Sequence, residues 1–165
     1  PTAYPLLPRH LTLAASVTIG IPAFFLALEP NAQRYVPGFV GRVLRFAIPA
    51  GVLATAGVLV AYGLARRADA PLAEARTLST LALVVIGLWV LSLLARPLTR
   101  LRAILLVALI AAVPIGSAIP FVRQFFDLEF GPAISVVRTL AVAAATGVVL
   151  EVWFRTRGHR AATTD

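Results

Sequence analysis

Leu78–Ala95 reads LSTLALVVIGLWVLSLLA, 18 residues without a charge. A membrane-spanning helix needs about 20 mostly apolar residues, because each residue advances about 1.5 Å through a hydrocarbon core about 30 Å thick. Four further runs of the same character lie on either side of it: Leu11–Leu28, Phe39–Ala65, Leu101–Val122 and Ala133–Phe154. Together they fill most of the 165 residues. The chain is 59% hydrophobic and 13% charged, with a mean hydropathy of +0.90. A soluble domain of this size has no interior large enough for so much apolar surface. The sequence predicts an all-α polytopic membrane protein, a single transmembrane domain over 1–165 with five transmembrane helices.

The charge pattern predicts how the helices are threaded. All 15 basic residues are arginine, against seven acids, for a net charge of +8. The arginines stand at the ends of the apolar runs rather than in one patch with interleaved aromatics. That placement fits lipid headgroups and excludes nucleic acid as a partner. With the N-terminus outside, nine arginines face the cytoplasm (34, 42, 45, 96, 100, 102, 155, 157 and 160) and six face out. The positive-inside bias therefore favours N-out and C-in, in a multi-pass plasma-membrane protein. The expected partner is membrane lipid.

Cysteine and methionine are both absent, which leaves no disulfide and no soft-metal route. The chain opens on Pro1 and runs into Tyr4-Pro5-Leu6-Leu7-Pro8 without a signal-peptide pattern, so a fragment of a longer protein is expected. The second and fifth runs carry small residues at close spacing: Gly51, Gly57 and Gly63 with Ala54 and Ala61, then Ala141, Ala143–Ala145 and Gly147. Such stripes let helix backbones approach closely, so these faces are expected to pack. Phe121–Phe130 alternates aromatics with Arg123, Gln124, Asp127 and Glu129 and reads as an amphipathic segment at the interface. The stretch Arg96–Arg100 reads as a tight hairpin, and the tail from Arg155 to Asp165 as frayed. Glu151 is the acid inside a run, and Arg155 one turn later predicts a local ion pair.

The first run holds the candidate chemistry. It reads Ser16-Val17-Thr18-Ile19-Gly20-Ile21-Pro22. Proline has no N–H, so Pro22 leaves the Thr18 carbonyl without its helical donor, and Gly20 weakens the same turn. A break here should face protein or a water-filled cavity. Oxygen donors from a freed carbonyl, the Thr18 hydroxyl and the Ser16 hydroxyl suit a hard cation. Thr12 and Ser16, four apart, share a face. The candidate metal-site residues are Thr18, Ser16, Gly20 and Pro22. The plain alternative is a proline kink whose carbonyl is satisfied by Ser16 or a neighbouring helix. Pro114 frees the Ile110 carbonyl in the same way, and there only a kink is expected. His10 and His159 lie at the ends of runs, which disfavours an intramembrane enzyme.

The motif Thr18-Ile19-Gly20-Ile21-Pro22, followed by Ala23-Phe24-Phe25-Leu26-Ala27-Leu28-Glu29-Pro30, resembles the sixth transmembrane helix of P-type cation-transporting ATPases. Phe39–Arg45 resembles the basic entry to helix seven, Ala75–Leu78 the start of helix eight, and Phe125-Phe126 the loop before helix ten. The likeness is strongest to the mycobacterial and actinobacterial branch described as calcium transporters. It implies helices six to ten, half of a ten-helix membrane domain. It also implies an N-terminal remainder of the same pump as partner, and Mg-ATP and a transported cation for that parent. Calcium pumps of the family carry an aspartate where Ile19 stands and an asparagine where Ala15 stands; Thr18 alone remains of that trio. Neither a phosphorylation motif of the Asp-Lys-Thr-Gly type nor any lysine is present, so this stretch by itself is expected to need no cofactor and to hydrolyse no ATP. The rival reading is a stand-alone five-span structural or assembly protein.

Overall fold

The computed structural model describes residues 4–28, 38–96 and 99–161, as backbone only at 39, 42 and 157–161. Every regular element among them is helical: α1 (Pro8–Ala15), a π-helical turn (Ser16–Gly20), α2 (Ile21–Ala27), α3 (Phe39–Arg67), α4 (Leu72–Leu94), α5 (Arg100–Ala118), α6 (Pro120–Phe126) and α7 (Ala133–Ala161). Five segments are long and apolar enough to cross a membrane, with α1, the π turn and α2 acting as one of them. The chain is an all-α polytopic membrane protein. Glu29-Pro30, the expected inner loop around Arg34, Pro97-Leu98 of the expected hairpin, and the side chains of Arg157 and Arg160 lie outside the described residues.

Local chemistry sets the helix ends. Pro8 opens α1 at a position where its missing N–H costs nothing. The Thr99 side chain accepts a hydrogen bond from the Arg102 N–H at 3.3 Å and caps α5. The fourth span was expected to run to Val122, yet α5 stops at Ala118. Pro120 is the cause: the residue before a proline is pushed out of the helical region, and Ile119 sits at φ −81°, ψ 119°. Pro120 then starts α6, which ends where Asp127 takes a left-handed conformation at φ 56°. The third span starts at Leu72, six residues before the expected Leu78. Its first turn carries Glu74, an acid at the positive end of the helix dipole. The residues expected to fray from Arg155 continue α7 to Ala161.

The uncharged run quoted first is the hub. In α4, 56% of the span is buried, against 11% in α5. Ala75, Ala82 and Ile86 are wholly enclosed. One cluster joins α4 to α3 and α7 through Ala50, Ile86, Leu93, Ala143 and Leu150. Another joins α4 to the first span and α5 through Ala14, Val84, Leu88, Leu91, Leu106 and Leu109. Glycines set the closest approaches. A Cβ on Gly57 would stand 2.7 Å from the Thr146 hydroxyl and 2.8 Å from Ile86 Cδ1, and one on Gly147 would meet the Trp89 ring at 2.3 Å. The packing faces expected on spans two and five are therefore present at Gly57 and Gly147. At Gly51 and Gly63 nothing lies within 4 Å of a built Cβ.

Polar ties close both ends of the bundle. At one end Glu151 accepts from Arg155 on its own helix, as expected, and also from Arg96 at 3.0 Å beyond α4. At the other, Arg9 pairs with Asp127, the Glu129 N–H donates to the Thr77 hydroxyl at 2.9 Å, and Arg76 Nε donates to the Tyr4 carbonyl at 3.1 Å.

Gly57→Leu should lower thermal stability in detergent by about 1–3 kcal/mol, the usual cost of overpacking. Gly51→Leu, on an open face, should leave the melting temperature unchanged; equal effects at the two sites would contradict this packing.

Candidate ion-pathway site on the first span

The first span does not break. The backbone stays in the right-handed helical region through Ala15, Gly20 and Ile21 (φ/ψ −62°/−40°, −62°/−58° and −61°/−49°). It widens instead by one π turn over Ser16–Gly20, and the Ile21 N–H reaches back five residues to the Ser16 carbonyl. The expected gap is thus corrected to a change of register. The reason lies in the proline ring, which clashes with the carbonyl four residues back in an α-helix. A wider turn just before Pro22 moves that carbonyl aside, at the cost of poorer hydrogen bonds. Pro22 still donates nothing, so neither Val17 nor Thr18 receives a proton from it.

The four candidate residues divide between two faces. Thr18 and Pro22, one turn apart, point into the bundle. Pro22 is fully enclosed and Thr18 half-buried. The Thr18 hydroxyl donates to the Ala14 carbonyl at 2.7 Å. Its methyl lies in a notch at Gly87 of α4, where a Cβ would come within 2.7 Å. The proline turn therefore faces protein. Ser16 and Gly20 are exposed on the opposite face, together with Thr12, Ala15 and Ile19. Ile19 is 66% exposed. Thr12 and Ser16 do share their face; the Thr12 hydroxyl donates to the Pro8 carbonyl at 3.2 Å.

The site offers only neutral oxygen: hydroxyls and main-chain carbonyls. Among the described residues no group of three or more acids or histidines converges. Such donors suit a hard cation, but charge balance would have to come from elsewhere. At Pro114 α5 runs on as a continuous helix. The Ser117 hydroxyl donates to the Pro114 carbonyl at 2.9 Å, not to that of Ile110.

Two buried polar groups were not singled out from sequence. His10 is wholly enclosed; its Nδ1 accepts from the Leu7 N–H at 3.4 Å, and it lies beside the backbone of Phe126 and Asp127. Glu74 is 7% exposed, its carboxylate set where a Gly131 Cβ would be, within 2.2 Å of that point. A histidine after a proline and an acid in a helix's first turn read from sequence as ordinary terminal residues. Only the return of residues 126–131 over the ends of α1 and α4 buries them.

Comparison with known proteins gives one consistent match. The chain is 36% identical over 163 residues to "Calcium-transporting ATPase CtpE" of Mycobacterium bovis, covering 95% of this chain. It matches the proteins of that name from Mycobacterium tuberculosis at 36% and Mycolicibacterium smegmatis at 34%. The chain spans only 20% of the length of the first of these relatives. No family model and no solved structure matches it.

Gly87→Ala should push Thr18 off α4 and lower the melting temperature, a loss of about 1–3 kcal/mol. Thr18→Ser removes the obstructing methyl, so the double variant should recover most of that loss; additive losses in the double-mutant cycle would refute the Thr18–Gly87 contact.

Proposed function

We propose that this chain is the C-terminal membrane segment of an ATP-driven P-type cation pump, helices six to ten, and that the pump moves calcium or another hard divalent cation. The observation that carries the reading is the match to calcium-transporting ATPases along 95% of the chain. The π turn at Pro22 supports it, since such bulges recur at functional sites and irregular helices recur at ion sites in transporters.

In this reading the first span lines the ion route and the other four form a supporting bundle. Thr18, Ser16, Gly20 and Pro22 form the lining. Pro22 and the Thr18 methyl fix the π turn against α4. Ser16 and Gly20 present a hydroxyl and unshielded main chain on the exposed face, where the rest of the pump's membrane domain packs. Charge-balancing acids come from that part, as do the phosphorylation site and Mg-ATP. The arginine count then sets the N-terminus outside and the Arg155 end in the cytoplasm of a plasma-membrane pump.

The test is ATP hydrolysis by the intact protein across a series of metal ions. Calcium should stimulate it. Thr18→Val and Ser16→Ala should each raise the calcium concentration for half-maximal stimulation about tenfold, the scale for groups that position metal ligands. Unchanged calcium dependence in well-expressed variants would remove those residues from the route. Absence of stimulation by any divalent ion in the wild type would remove the pump reading itself.

A further inference from the structure

A cleft of about 730 Å³ runs down one face of α4 between α5 and α7. On α4 its floor extends from Thr77 to Ser92, about 22 Å along the helix axis. One wall is the half of α5 around Val113 and Gly116, the other includes Val136 and Leu140 of α7, and Glu151 marks one end. α5 packs on α4 through Leu105, Leu106, Leu109 and Val113, and beyond Pro114 the cleft opens between the two helices. The lining is almost wholly apolar, with Thr77, Thr80, Ser92 and Ser117 as its hydroxyls.

We propose that this cleft holds one acyl chain of an anionic phospholipid, with its headgroup at the Glu151 end. Three observations select that occupant. The floor is longer than the depth of one leaflet, about 15 Å or half the hydrocarbon core, so a single tail fits along it. The two ends differ in charge. At the Glu151 end stand Arg96, Arg100, Arg102 and Arg155 against one acid. At the other, Arg9, Arg76, Arg123 and Arg138 stand against Glu74, Asp127 and Glu129. Arginines beside an apolar groove fit a phosphate with a tail attached, since each attracts an anionic headgroup and the groove takes the chain. The cleft also has room at its wall: nothing lies within 4 Å of a Cβ built on Gly116. The site is independent of transport and of which way the chain is threaded.

The test uses the intact protein in detergent, titrated with phosphatidylglycerol or phosphatidylcholine and followed by native mass spectrometry and melting temperature. The wild type should retain one phosphatidylglycerol in preference to phosphatidylcholine and melt about 3–6 °C higher with it. Arg100→Gln should cut that preference about fivefold. Gly116→Trp, which fills the cleft from an open position, should abolish retention while keeping the helical circular dichroism spectrum. Equal retention of the two lipids in the wild type overturns the proposal, as does full retention in either variant. Dimers that Gly116→Trp disrupts would mean that a second copy occupies the cleft, and would overturn it too.

Discussion

Everything in this bundle depends on the close docking of α4 against three neighbours at once. Helices in lipid gain no hydrophobic energy by touching each other, so they hold together through contact area. Contact area needs short distances, and three glycines provide them. Gly57 of α3 receives Ile86, Gly147 of α7 receives Trp89, and Gly87 of α4 itself receives Thr18. Each notch accepts one side chain of a particular shape. The result is a centre that is uncharged, stiff and more buried than any other span, from which the first span and α5 extend as less enclosed arms.

The first span uses that stiffness. A proline inside a membrane helix must resolve two problems: a ring that collides with the preceding turn and a carbonyl that loses its donor. The widened turn resolves the first. Packing of Pro22 and the Thr18 methyl on α4 keeps the second away from lipid. The same turn separates the candidate residues, so Thr18 acts as the anchor of the geometry while Ser16 and Gly20 face outward. A threonine that looks like a ligand in the sequence can thus serve first, through its methyl, as a wedge.

The helical architecture was legible because lipid simplifies the code. Length and apolarity alone find a span, and an i,i+4 acid–arginine pair such as Glu151–Arg155 announces itself. Partners far apart in sequence were not legible. Nothing local marks Arg96 as the second partner of Glu151, or Asp127 as the partner of Arg9, because those pairs exist only after the helices assemble. The stop at Ala118 was legible in principle from Pro120, but a long apolar run outweighed it. The π turn was half legible. Pro22 after Gly20 signals a disturbed helix, yet whether it opens or widens depends on what packs against it, here Gly87.

A π turn is one surplus residue accommodated within a helix. Each residue rotates an α-helix by about 100°, so winding the surplus into the α ladder would turn all that follows by that angle relative to all that precedes. Removing one residue from Ser16–Gly20 would let the rod close into uniform α geometry with Phe24 and Phe25 on nearly the same side relative to Leu13 and Ala14; closing the turn with the residue kept would swing them round by that angle. The span therefore carries an adjustable coupling between its two halves. Winding and unwinding that coupling would rotate one half about its axis while the other stayed fixed to α4.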